Sequence, residues 1–291
     1  MSINLNNISL KLLNMSSISE KNASQLIKYE LMEDKPTMIA RFGSTEIKAI
    51  LYPRLPSPIR SIVRERIFRN MEVLSGFFPS NDSNIYRFSE LMIEDMQELD
   101  ILGSWRAEEK FLKDFINKSI KVELKALEPY FSNEPWSAVL EGKKVLVINP
   151  FSETIKKQYN EKRKLLFSNK FVLPEFHLDT IQAVQTIARN GSDFKDWFEA
   201  LNYMKSAINE KDFDIAIIGC GAYGFPLAAH IKRLGKKAIH LGGPTQILFG
   251  VKGKRWEENN SFLNIINEHF ISPSIYETPK DINKVEQGCY W

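Results

Sequence analysis

Two patterns of apolar positions alternate along the second half of this chain. Runs of four or five consecutive apolar residues predict strands buried on both faces. Stretches in which apolar residues return every third or fourth place predict helices. Val145–Ile148, Asp214–Ile218 and Lys237–Leu241 are of the first kind, and Ser152–Phe167 and Ala222–Leu234 of the second. Phe194, Trp197, Phe198, Leu201 and Met204 share the face of another expected helix, which starts behind an Asp193 N-cap and ends at Lys211-Asp212; its aromatics read as core. A short strand is expected at Phe171-Val172-Leu173, before Pro174.

In the first half, Thr37–Arg41 lies between Pro36 and Gly43 and reads as a short buried strand entering a glycine turn, with Glu46 opening a helix. Pro53, Pro56 and Pro58 interrupt the pattern. Ile59–Leu74, Ile85–Leu99 and Ala107–Leu127 then show helical spacing. The segment from about residue 57 to 135 is therefore expected to be mainly helical, an insertion in the sheet or a cap on it. The expected fold is α/β, a Rossmann-like, doubly wound, mostly parallel sheet, with residues 1–291 forming a single domain. No internal repeat or low-complexity run is present.

Composition narrows the class. With 43% hydrophobic and 26% charged residues, the chain has the balance of a soluble globular protein. Its 39 basic and 36 acidic side chains leave a net charge of +3, too small for a nonspecific binder of nucleic acid or membrane surface, so any anion site must be local. Cys220 and Cys289 cannot build a disulfide framework, and the four histidines have no metal-ligand spacing with them. Met1–Ser19 lacks the features of a signal peptide. The longest uncharged apolar stretch, Ile215–Ala229, is shorter than the roughly 20 residues of a membrane-spanning helix and is broken by glycines and Pro226. A cytoplasmic location is expected, with room for peripheral association at the inner face of the cytoplasmic membrane.

Candidate chemistry clusters at the ends of the expected strands, where ligands of parallel sheets gather. Gly219-Cys220-Gly221-Ala222-Tyr223-Gly224 is a literal G-x-G-x-x-G between strand and helix, so its backbone could approach a phosphate; equally, the glycines could let helix and strand pack closely. A dinucleotide site would want an acid where His240 stands, and too few residues follow for a complete dinucleotide fold. His240 could contact a phosphate or sugar hydroxyl, or be a core histidine. The Gly242-Gly243-Pro244-Thr245-Gln246 turn could offer Gly243, Thr245 and Gln246 to a ligand, with Pro244 as first helical residue. Lys252, Lys254, Arg255 and Trp256 suit a diphosphate beside a ring, or form a solvated loop.

At the first strand, Arg41-Phe42-Gly43-Ser44-Thr45-Glu46 places a cation and a carboxylate on either side of a turn. Arg41 could grip a phosphate bidentately, and Glu46 could bind a metal, hold a sugar or accept a hydroxyl proton. Alternatively, Ser44 caps the helix and Glu46 pairs with Arg41. Asn149, in the turn after Val145–Ile148, is a weaker candidate.

Taken together, Ile39–Glu46, Phe213–Gly224 and Ala238–Gly243 resemble the GT-D-type glycosyltransferases and the GT-D-like domains of bacterial surface-polysaccharide synthesis, over most of the chain. In that family an Arg-aromatic-Gly-Asp-Gly-Glu segment serves the metal and the nucleotide-sugar diphosphate. Arg41, Gly43 and Glu46 match it, whereas Ser44 replaces the aspartate and Thr45 the second glycine, removing one metal-binding carboxylate. The resemblance implies a nucleotide-sugar donor, a glycan or lipid-linked oligosaccharide acceptor, and Mn2+ or Mg2+ held at Glu46. A Rossmann-type methyltransferase or NAD-dependent enzyme, and a noncatalytic sugar-nucleotide-binding protein, are the alternatives.

Overall fold

The continuous apolar runs form the centre of a seven-stranded, all-parallel sheet with order β3-β2-β1-β7-β6-β4-β5. The structure, a computed structural model, describes residues 20–187, 191–279, 288, 290 and 291. The strands are β1 (Thr37–Ala40), β2 (Ile101–Ser104), β3 (Ile120–Glu123), β4 (Lys144–Asn149), β5 (His177–Gln182), β6 (Ile215–Ile218) and β7 (Lys237–His240). Successive strand side chains point to opposite faces, so an apolar residue at every position requires two covered faces. Met38, Leu146, Ile148, Ala216, Ile218 and Ala238 enter one core, and Ile39, Val145, Val147, Ile215, Ile217 and Ile239 enter the other.

Helices α2 (Ser44–Leu51), α3 (Ser57–Ser75), α4 (Asp82–Asp95), α6 (Trp197–Asn209) and α7 (Gly224–Arg233) supply the first core. Helices α1 (Glu20–Met32), α5 (Ser152–Leu166) and α8 (Pro244–Leu248) supply the second, and a single turn, α9 (Lys254–Glu257), adds Trp256.

The segment 57–135 is only half a helical insertion. After α4 it returns to the sheet and contributes β2 and β3, which extend it beyond β1. Over Ala107–Leu127, expected as a helix, the chain instead makes a 3-10 turn (Ala107–Leu112), β3 and a second 3-10 turn (Leu124–Leu127). Buried Leu112 and Ile116 are four apart and imitate helical spacing. β3 is an edge strand with only Val122 fully buried, so it lacks an apolar run. At the other edge, no strand forms at Phe171–Leu173; β5 begins at His177 and carries Asp179, Thr180 and Gln182 in its exposed and half-buried positions. The N-cap of α6 is Asp196, not Asp193: its carboxylate accepts from Glu199 N at 2.8 Å. Met1–Ser19 and Cys289 lie outside the described residues.

Candidate functional site

Strands β1, β7, β6 and β4 are neighbours, so their C-terminal turns lie side by side. The connection after β4 leads outward to β5 and the one after β6 leads back to β7, and between such diverging connections a parallel sheet opens a crevice. A cleft lies there, lined by Arg41–Glu46, Asn149–Phe151, Gly219–Tyr223, His240, Gly242, Gly243 and Gln246. The end of α3, the loop after β5, Trp105, Arg255, Tyr290 and Trp291 complete its walls.

The turn after β1 carries the charge. Phe42 is buried and stacks on Phe225 of α7 at 4.9 Å, anchoring the turn. Gly43, not Ser44, is the N-cap of α2, and Ser44 is its first helical residue, so Ser44 caps nothing. A Cβ at Gly43 would lie 1.7 Å from Glu46 Oε2: the glycine makes room for the carboxylate, which folds back over the turn. Arg41 sits over the Trp105 ring, 4.8 Å from its centre, with Nη1 against Gly242, where an added Cβ would be 3.0 Å away. Its Nε is buried without a hydrogen-bond partner. Glu46 pulls on Arg41 electrostatically, yet no described residue forms an ion pair with its guanidinium. Burial disfavours the Arg41 charge, and Arg255 opposes it further; Glu46, Tyr290 and Glu128 partly offset this. Partial desolvation of a cation that lacks an ion-pair partner is costly, and an anionic ligand would offset that cost.

The turn after β6 is spoken for by its neighbours. A Cβ on Gly219 would be 2.5 Å from Gly242 O and 2.6 Å from Thr245 Oγ1, and one on Gly224 would be 2.1 Å from the His240 ring. Gly221, at φ +55, takes the left-handed conformation beside Ser75 O. Each glycine of the fingerprint thus admits a part of the protein itself. Tyr223 stacks on Trp197 at 4.9 Å and belongs to the aromatic core; burial raises its phenol and the Cys220 thiol far above their ordinary ranges, leaving both neutral.

His240 is a core histidine at the cleft floor, 4% exposed, its Nδ1 3.3 Å from Ile218 O. Burial, with repulsion from Arg41, pushes its pKa down to about 3, so it is neutral at pH 7. Thr245 is fully buried and donates to Ile218 O at 3.3 Å. Gln246 donates to Val251 O at 3.3 Å and Tyr290 O at 3.1 Å. Asn149 donates to Gly219 O at 2.8 Å and accepts from Phe151 N at 2.9 Å. These three side chains, expected as ligand contacts, hold the turns in place.

Of the basic cluster after Gly250, Arg255 lines the cleft and donates to the Tyr290 hydroxyl at 2.9 Å. Lys254 is exposed and outside the lining, and Lys252 pairs with Glu257 at 2.7 Å. Trp256 is buried against Gly243 and Tyr290, so its indole is core and not a platform for a ring.

Three aromatic residues of the wall escaped the sequence reading. Trp105 follows β2 directly, and recognising that strand would have exposed it by the same strand-end logic. Its indole donates to Phe42 O at 2.9 Å, and buried Glu109 accepts from Trp105 N and Arg106 N, both at 3.0 Å. Tyr290 and Trp291 come from a region with no local signal; Trp291 packs edge-on to Phe151 and keeps its indole N–H buried without a partner.

The residues present do not fit a divalent-metal centre. Hard cations want several oxygen ligands. Among the described residues no group of three His, Cys, Asp or Glu could hold an ion. Glu46 is the only carboxylate among the described residues of the lining, and it shares the cleft with two guanidinium groups.

No family model matches the chain, and no curated protein matches it in sequence. Two solved structures are similar to it. One is a selenomethionine-substituted domain of unknown function 1792, 13% identical, with 83% of each chain covered and a TM-score of 0.42. The other is also that domain, described as having a distinct glycosyltransferase fold, 14% identical, covering 80% of this chain and 79% of that one with a TM-score of 0.43. No helix among the described residues is long and apolar enough to cross a membrane.

Proposed function

We propose that the cleft binds a nucleotide-sugar through its diphosphate and that the protein transfers the sugar to a hydroxyl of a glycan or lipid-linked oligosaccharide in bacterial surface-polysaccharide synthesis, of the capsule or O-antigen kind. The observation that carries this reading is Arg41: a half-buried guanidinium stacked on an indole, its Nε buried without a hydrogen-bond partner and with no ion-pair partner among the described residues, at the strand ends where a parallel sheet holds its ligands. The fold is compatible with many chemistries, so the reading rests on the site.

In this reaction the bond from the anomeric carbon to the diphosphate breaks and a bond to the acceptor oxygen forms. Charge develops on the leaving nucleoside diphosphate, where Arg41 would stabilise it. The acceptor hydroxyl loses a proton, for which Glu46 is the carboxylate in the lining. The adenosine-cofactor alternative loses ground because His240 and Thr245 occupy the space its glycine fingerprint would have to keep open.

Thermal unfolding in the presence of UDP, GDP, CMP, S-adenosylmethionine and NAD tests the reading, since a ligand of the folded state raises the midpoint. A nucleoside diphosphate should stand out. With the matching donor and acceptor, Glu46→Gln should keep binding and lose about 100- to 10,000-fold in turnover. Stabilisation by the adenosine cofactors alone would sink the proposal.

A further inference from the structure

We infer that the cleft holds a diphosphate without a divalent cation, its charge met by guanidinium groups, and that Trp105 is the residue that positions the principal one, Arg41. The inference rests on the donor reading above and goes against the metal use that the Arg41–Glu46 resemblance implies.

Three observations carry it. First, the donor set is wrong for a cation. Ser44, where a second carboxylate would be needed, is the first residue of α2 and offers a hydroxyl. The single lining carboxylate among the described residues, Glu46, lies folded over Gly43. Second, the positive charge a diphosphate needs is already built in: Arg41 and Arg255 both line the cleft, close enough for each to repel the other's charge. A divalent ion would face that same repulsion, whereas a diphosphate relieves it. The planar guanidinium fork matches phosphate oxygens in a bidentate geometry.

Third, Arg41 is aimed before any ligand arrives. Its side chain lies on the Trp105 ring, and that ring is fixed at both ends. The indole N–H is tied to Phe42 O, in the same turn as Arg41, and the backbone of Trp105 and Arg106 is tied to Glu109, which also takes the Ser104 hydroxyl. Arg106 lies 4.9 Å from the centre of the same ring and is paired with Glu108. Trp105 is 41% exposed, and its indole N–H is bonded to the turn that carries Arg41. A half-exposed tryptophan tethered this way restricts the arginine and keeps its loss of freedom on binding small.

The test measures binding of inorganic pyrophosphate and UDP by thermal shift and by tryptophan fluorescence, in EDTA and again with MnCl2 or MgCl2. The expected result is the same midpoint shift in EDTA as with metal, its loss in Arg41→Lys, and about tenfold weaker binding in Trp105→Ala with partial recovery in Trp105→Phe. The unliganded midpoint of each variant reports folding separately. If the shift with UDP requires Mn2+ or Mg2+ and vanishes in Glu46→Gln, this inference is overturned while the donor reading stands. Metal-free binding that survives Arg41→Lys unchanged overturns it as well. No shift with either probe under any condition removes both.

Discussion

The turn after β6 and the turn after β1 open on the same cleft and use glycine for different purposes. The first has three glycines in the spacing of a phosphate-binding fingerprint, and each one admits a neighbour from the protein: the Gly242 carbonyl and Thr245 at Gly219, Ser75 at Gly221, the His240 ring at Gly224. The second has one glycine, which makes room for a carboxylate, and beside it a half-buried arginine whose Nε is buried without a hydrogen-bond partner and whose charge has no ion-pair partner among the described residues. A glycine reports only that something comes close. What comes close decides whether the turn is packing or site, and an unsatisfied charge is the more telling sign of a ligand.

The largest effect should come from filling the first turn. Gly224→Ala places a methyl group 2.1 Å from the His240 ring, between β7 and α7. Overpacking a buried site of this kind costs up to about 3 kcal/mol, to be read from chemical denaturation. If the ring is the obstacle, Gly224→Ala combined with His240→Ala should cost less than the sum of the two single changes. A Gly224→Ala protein as stable as the parent would show that this turn keeps open space after all.

A smaller effect isolates His240 by pH. Its folded-state pKa of about 3 lies below the ordinary value of about 6.5, so the unfolded chain takes up the proton first as pH falls. The stability His240 gives is complete above pH ~6.5 and declines as pH drops toward 3, by about 1.4 kcal/mol per unit. Between pH 6.5 and 5 the parent should therefore lose about 2 kcal/mol relative to His240→Asn, which does not titrate. Asp95, which burial raises to about 6, slopes the opposite way: its contribution falls as pH rises toward 6. It is present in both proteins and cancels in the difference. Parallel pH profiles would mean that the ring reaches solvent and belongs to the ligand face.

Legibility in the sequence followed burial. Strands covered on both faces, such as Val145–Ile148 and Ile215–Ile218, announce themselves as apolar runs, and the helices α3 and α5 were bounded within about two residues. The edge strands did not, because a strand open on one side mixes polar residues into its pattern. β5, with His177, Asp179 and Gln182, has no apolar run to mark it, and β3 lies inside the stretch whose spacing predicts a helix. The site divided along the same line. Arg41, Gly43 and Glu46 were readable because they follow a buried strand. Trp105 was hidden by the missed β2, and Tyr290 and Trp291 reach the cleft through tertiary contacts with Gly243, Trp256 and Phe151 that no short-range pattern encodes. Lys254 and Arg255 belong to one basic cluster in the sequence, yet of the two only Arg255 lines the cleft. Adjacent residues on a helical turn point in directions about 100° apart, so a local charge count could not separate them.

The smallest effect on stability should come from the residue with the largest effect on binding. Arg41→Met keeps the length and most of the apolar contact of the side chain with Trp105 while deleting the charge. Burial disfavours that charge and no described residue forms an ion pair with it, so its removal relieves a desolvation cost and forfeits the attraction to the ring and to Glu46, Tyr290 and Glu128. The two nearly offset, and unfolding of Arg41→Met should stay within about 1 kcal/mol of the parent, on either side. The midpoint shift with UDP should disappear in the same protein. Strong destabilisation instead would mean that Arg41 is held by the fold for its own sake, which would put the β1 turn in the same class as the β6 turn and leave the cleft without its anion partner.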